Sequence, residues 1–152
     1  MKKFKFTLQT VHNLRESRRD NAQQELAQLQ ATANEVAQRL EKTTQERLET
    51  IDNFSAKMQG GAIDPMEAAL TTNYIAALAQ REREAQYQLS LSIEAVERQK
   101  LKVIEASREV EATSVLRERQ LARHELEASR AEQNFLDEIA TVTIARKLLQ
   151  NR

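Results

Sequence analysis

The sequence predicts an all-α fold, a long antiparallel two-helix coiled-coil hairpin with unequal arms in which the second helix overhangs the first. Three observations predict it. The composition is that of long helices, with Ala, Glu, Gln, Arg and Leu dominant, 30% charged residues and 4% aromatic ones. Gly60, Gly61 and Pro65 are the only glycines and the only proline, so the chain has one point of punctuation. Large apolar residues are too sparse for a globular core, but they recur at alternating spacings of four and three, which builds a narrow seam between helices.

The first helix is expected from about residue 7 to 58, with Thr7 as its N-cap. Ala22, Leu26, Leu29, Ala33, Val36 and Leu40 mark its seam. Leu40, Thr44 and Leu48 then stand four apart before Ile51, Phe54 and Met58 carry the rhythm to the turn, which reads as a stutter. The turn is expected over 59–64. Gly60 or Gly61 can take the left-handed conformation that ends a helix. Asp64 reads as the next N-cap, with Pro65 at the first helical position and Glu67 three after the cap, as in a capping box. The second helix is expected from about 65 to 149. From Leu89 a four-three ladder runs through Ile93, Val96, Lys100 and Val103 and continues to Val142, Ala145 and Leu149.

Two long helices joined by a short loop lie antiparallel. At 1.5 Å per residue their lengths are roughly 75–80 Å and 125–130 Å. A fold at Gly60-Gly61 brings Phe4 near residue 118. The last thirty or so residues, with Phe135, Ile139, Val142, Leu148 and Leu149, are then left without an intramolecular partner. Such a bare stripe calls for a protein that covers it; a frayed tail or self-association is the plainer alternative. The whole chain, 1–152, reads as a single coiled-coil hairpin.

Composition also bounds function. Twenty-three basic residues balance twenty-three acidic ones, which argues against nucleic-acid coating. No segment approaches the roughly 18 apolar residues of a membrane span. Met1-Lys2-Lys3 is followed by no apolar stretch, and there is no cysteine, so the expectation is an unprocessed cytoplasmic chain. No phosphate-cradling glycine loop is present, and no cofactor is expected. His12 and His124 are the only histidines, and a two-helix rod offers neither a pocket nor a nucleophile for them. His124 and Glu127 reverse the order of the Glu-x-x-His of di-iron bundles, so no metal site is expected. The chain therefore reads as an interaction protein and not an enzyme.

Candidate contacts lie in three places. Arg15, Arg18 and Arg19 make a basic patch suited to an acidic partner surface, or simply to solubility. Leu48, Ile51, Phe54, Tyr74, Ile75 and Leu78 concentrate large side chains near the turn, as a docking patch or as a lock on the hairpin. The third is the overhang.

The N-terminus reads Phe4-Lys-Phe6-Thr-Leu8-Gln-Thr-Val11-His-Asn-Leu14-Arg15, followed by Asp20-Asn-Ala22-Gln-Gln-Glu25-Leu26-Ala27. This resembles the opening of the flagellar export protein FliJ family (FliJ/YscO-type stalk proteins of type III secretion). The resemblance covers about 25 residues in motif and the whole chain in architecture. It implies a stalk or linker of the flagellar type III export apparatus, similar to the central stalk of rotary ATPases. Such a protein binds the export ATPase, promotes assembly of its ring and couples it to the export-gate membrane protein. By that resemblance Phe4, Phe6, Leu8, Arg15, Phe135, Val142 and Leu149 would face the ATPase ring, and Leu48, Ile51, Tyr74 and Leu78 the gate. The implied location is the cytoplasmic face of the inner membrane at the flagellar base. A structural coiled-coil spacer, and a chaperone or escort for export substrates with export chaperones as partners, are the alternatives.

Overall fold

The computed structural model describes residues 3–61 and 63–150, with side chains as far as Lys147. Two helices account for nearly all of it, α1 (Gln9–Gln59) and α2 (Pro65–Gln150), packed against each other as an all-α hairpin. Among the described residues there is no strand, and no helix is long and apolar enough to cross a membrane.

The helix ends follow from local hydrogen bonding. The Gln9 N–H donates to the Phe6 carbonyl (3.2 Å) in a turn, and the His12 N–H donates to the Leu8 carbonyl (2.9 Å) as the first helical bond. Thr7 therefore sits in the turn before α1. At the other end the Gly61 N–H reaches back to the Met58 carbonyl (3.2 Å), and Gly61 has φ of 67°. That is one of the two bonds of a Schellman ending, and the left-handed residue is Gly61. Ala62 lies outside the described residues. The Ala68 N–H closes the first turn of α2 on the Asp64 carbonyl (3.0 Å), with Pro65 where its missing N–H costs nothing. The Glu67 carboxylate accepts a bond from Lys57 Nζ of α1 (2.5 Å), so it ties the two helices instead of reaching back as in a capping box.

The chain divides into two compact units, one of residues 20–105 and one of residues 1–19 with 106–152. In the first, Ala22, Leu26, Leu29, Ala33, Val36 and Leu40 of α1 are buried or half-buried, as their spacing predicts. The stretch that follows differs from expectation. The seam passes through Arg47, and Leu48 is 50% exposed. Arg47 takes the inward position because Glu82 of α2 receives its Nε at 2.6 Å. Across from α1, Leu78 is completely enclosed, and Ala85 and Val96 are buried.

On α2 alternate rungs of the expected ladder hold as far as Val110: Leu89, Val96, Val103 and Val110 are buried or half-buried, and the next, Arg117, is exposed. Of the rungs between them, the first two lie one residue earlier than expected, while Ser107 and Ser114 are half-buried as expected, beside Ala106 and Thr113. Ser92, Gln99, Ala106 and Thr113 face inward, whereas Ile93 and Lys100 are exposed. The polar rungs are accepted because each finds a partner: Gln99 Nε2 donates to the Ala22 carbonyl (3.0 Å) and to Glu25 Oε2 (2.9 Å). Among the described residues, no buried side-chain polar atom is left without a hydrogen bond.

In the second unit Phe6, His12, Val110 and Thr113 form the buried cluster. Phe4 meets the His124 ring edge-on, centroids 5.7 Å apart and planes at 61°, further along α2 than residue 118. The cause is the non-helical stretch before Thr7, which advances at up to roughly 3.3 Å per residue against 1.5 Å in a helix. Beyond Ala128, every residue of α2 from Ser129 to Lys147 is exposed.

Candidate interaction surfaces

The residues expected at the terminal surface fall into two groups. Phe6 is buried and Phe4 half-buried on α2, so both pin the chain start. Leu8 lies at the margin, and Val11 and Leu14 beside it are exposed. The sequence reading passed over Val11 and Leu14 as contacts, although Leu8, Val11 and Leu14 recur at spacings of three. Arg15 Nη1 donates to the Glu109 carbonyl (3.0 Å), which fixes the guanidinium against α2. Phe135 and Val142 belong to the bare stretch, at 61% and 48% exposure, with Leu136, Ile139 and Ile144 exposed beside them. Phe135 lies roughly 16 Å along the helix from His124, so the structure does not gather the two groups into one cluster. The Leu149 side chain lies outside the described residues.

His12 stands in this unit as a structural residue. Its Nδ1 is 2.8 Å from Thr113 Oγ1. The Thr113 hydroxyl is also 2.8 Å from the Val110 carbonyl, and the imidazole tautomer sets which partner donates in the His12–Thr113 bond. The other ring nitrogen is 3.5 Å from Glu16 Oε1. Among the described residues no three His, Cys, Asp or Glu side chains converge to hold a metal.

The four residues expected near the turn also divide. Leu78, wholly enclosed, and Ile51, half-buried, lie in the seam and lock the helices. A partner cannot touch Leu78 while the hairpin is closed. Leu48 and Tyr74 are exposed, and the Tyr74 hydroxyl donates to Glu46 on α1. That bond, with the nearby Glu46 charge, pushes the phenol up from its ordinary value. Met66 and Leu70, one turn apart and 70% and 62% exposed, continue from Tyr74 toward the turn. Their four-residue spacing was the signal that would have found them. Between the helices, Glu82 accepts from Arg47 Nε and from Thr44 Oγ1 (2.9 Å). Its side chain is 13% exposed. The Arg47 bond first, and the Thr44 bond second, hold its carboxyl below the ordinary 4.5.

What the arrangement offers to a partner is exposed helix faces. A family model described as "Flagellar FliJ protein" matches residues 4–149, nearly the entire chain. The chain belongs to the FliJ family. Membership makes it a component of the flagellar export apparatus, in a family that is non-catalytic. No curated protein and no solved structure gave a significant match. The α2 stretch past Ala128 and the outer faces of Leu48, Tyr74, Leu70 and Met66 are two of the chain's exposed apolar regions, and Tyr87 (66%) and Leu101 (67%) are exposed elsewhere on α2.

Proposed function

We propose that this FliJ-family chain is a stalk or linker that binds the export ATPase, promotes assembly of its ring and couples it to the export-gate membrane protein. The observation that carries the reading is the run Ser129–Lys147. It remains helical, every residue of it is exposed, and it presents Phe135, Leu136, Ile139, Val142 and Ile144. Exposed apolar residues concentrated on one helix mark a binding surface. Phe135, Val142 and Leu149 are assigned to the ATPase ring, with Phe4, Phe6, Leu8 and Arg15 holding the neighbouring chain start in place. Leu48 and Tyr74 are assigned to the gate, with Ile51 and Leu78 behind them fixing the helices that present them. The family supports an export role, and the exposed helix faces support a linker.

Titration of the purified export ATPase with the full chain tests this. Binding and a rise in hexamer and ATP turnover are expected. Phe135→Ala combined with Val142→Ala should weaken binding by about 2 kcal/mol or more, as for buried interface anchors. An ATPase that neither binds nor responds to the chain would sink the proposal. Concentration-dependent dimerisation through the same residues would favour a coiled-coil spacer instead.

A further inference from the structure

The zero net charge conceals a sorting of charge between the two units. Residues 1–19 with 106–152 carry fourteen Lys and Arg against nine Asp and Glu, a net charge of +5, and residues 20–105 carry nine against fourteen, a net charge of −5. Within the positive unit the excess is local. Residues 1–19 with 106–123 hold ten basic against four acidic side chains, and Lys5, Arg18, Arg117, Arg119 and Arg123 among them are exposed. This basic collar precedes the bare stretch of α2. On that stretch Ala131, Phe135, Val142 and Ala145 recur at spacings that keep them on one face. Glu138 lies on the same face between Phe135 and Val142.

We infer that the partner covering this face is a protein whose apolar groove is rimmed by acidic side chains, the groove taking Phe135 and Val142 and the rim meeting the collar. The inference deepens the reading of this face as the ATPase contact by naming the chemistry of its occupant. Charge complementarity selects that occupant over the others. A bilayer that took up Phe135 and Val142 would bury Glu138 in lipid, which disfavours charge. A second copy aligned in parallel would set collar against collar, and one aligned antiparallel would leave the collar uncovered and set Glu138 against itself, so like charges oppose either pairing. Nucleic acid would match the collar and leave the apolar face uncovered. An acid-rimmed protein groove satisfies both, and it can offer Glu138 a polar neighbour.

The test is photo-crosslinking in flagellated cells that express the full chain, with benzoylphenylalanine placed at Phe135 or at Arg119. Each is made with and without the charge reversals Arg117→Glu and Arg123→Glu. These arginines are exposed, and circular dichroism of each variant checks that helicity is kept. The expected result is one protein crosslinked from both positions, with Asp and Glu dense in the peptide caught at Arg119 and apolar residues in the peptide caught at Phe135. The charge reversals should lower the yield at Phe135 by about tenfold or more. An acid-poor peptide at Arg119, a yield indifferent to charge reversal, crosslinks to lipid, nucleic acid or a second copy, or no crosslink at all, would each overturn the inference. The identity of the captured protein judges the functional reading separately. An acid-rimmed protein other than the export ATPase keeps the inference and sinks that reading. The ATPase caught through a neutral surface does the reverse.

Discussion

Two leucines separate what single side chains do here. Leu78 is wholly enclosed between the helices, so Leu78→Ala removes buried methyl groups and leaves a void. It should cost about 2–5 kcal/mol in denaturant unfolding. Leu48, half exposed, should lose no more than about 0.5 kcal/mol on the same change. Glu82 gives a pH signature. Its carboxyl is held below the ordinary 4.5, so its stabilising contribution is present above that value and fades as pH falls through the lower folded one. Glu82→Gln should therefore lower Tm at about pH 7, and the gap from the wild type should narrow as pH falls below 4.5. A gap that persists in acid would show that Glu82 contributes through shape and not through charge.

At the scale of elements, the two glycines of the turn are unequal. A Cβ on Gly60 would meet the Ala56 and Lys57 carbonyl oxygens at 3.6 Å, ordinary contact, in a residue that continues the helical bonding. Gly61 has open space around it but a φ that L-residues avoid. Gly61→Ala should cost about 1–2 kcal/mol, and Gly60→Ala should be neutral or stabilise by about 0.5–1 kcal/mol; thermal unfolding of the two variants compares them directly. Two helices in a hairpin were legible in the sequence because breakers occur at one place only, and the α1 seam from Ala22 to Leu40 was legible because it is apolar. The alternate rungs of α2 were not. A strict four-three count from Leu89 lands on Ile93 and Lys100, whereas the helix turns Gln99 and Thr113 inward to meet Glu25 and His12. Such choices depend on the facing helix, which one helix's pattern does not contain. The same cause moved Arg47 inward in place of Leu48. The aromatic start was legible as chemistry, but its reach to His124 depended on where the first helical bond formed.

For the molecule as a whole, the chain belongs to the FliJ family, and on the proposed function its stability and its partner binding should be separable. Residues 129–147 are all exposed, so a chain ending at Ser129 should unfold within about 0.5 kcal/mol of the full one, since surface residues carry little of the fold. On the proposed function the shortened chain should lose the ATPase. Paired measurements of urea unfolding and ATPase binding check both; a large loss of stability would mean that the stretch packs on the rest of the chain.

The polar rungs have a mechanical meaning. His12 with Thr113, Gln99 with Glu25 and Arg47 with Glu82 act as indexing pins, each fitting one partner position on the other helix. A greasy zipper of identical leucines can slide by a heptad and find equivalent neighbours. In this one, such a slide would strand a buried imidazole, a buried amide and a half-buried guanidinium at once. Under axial load the two helices should therefore resist sliding past each other more than a seam of leucines would.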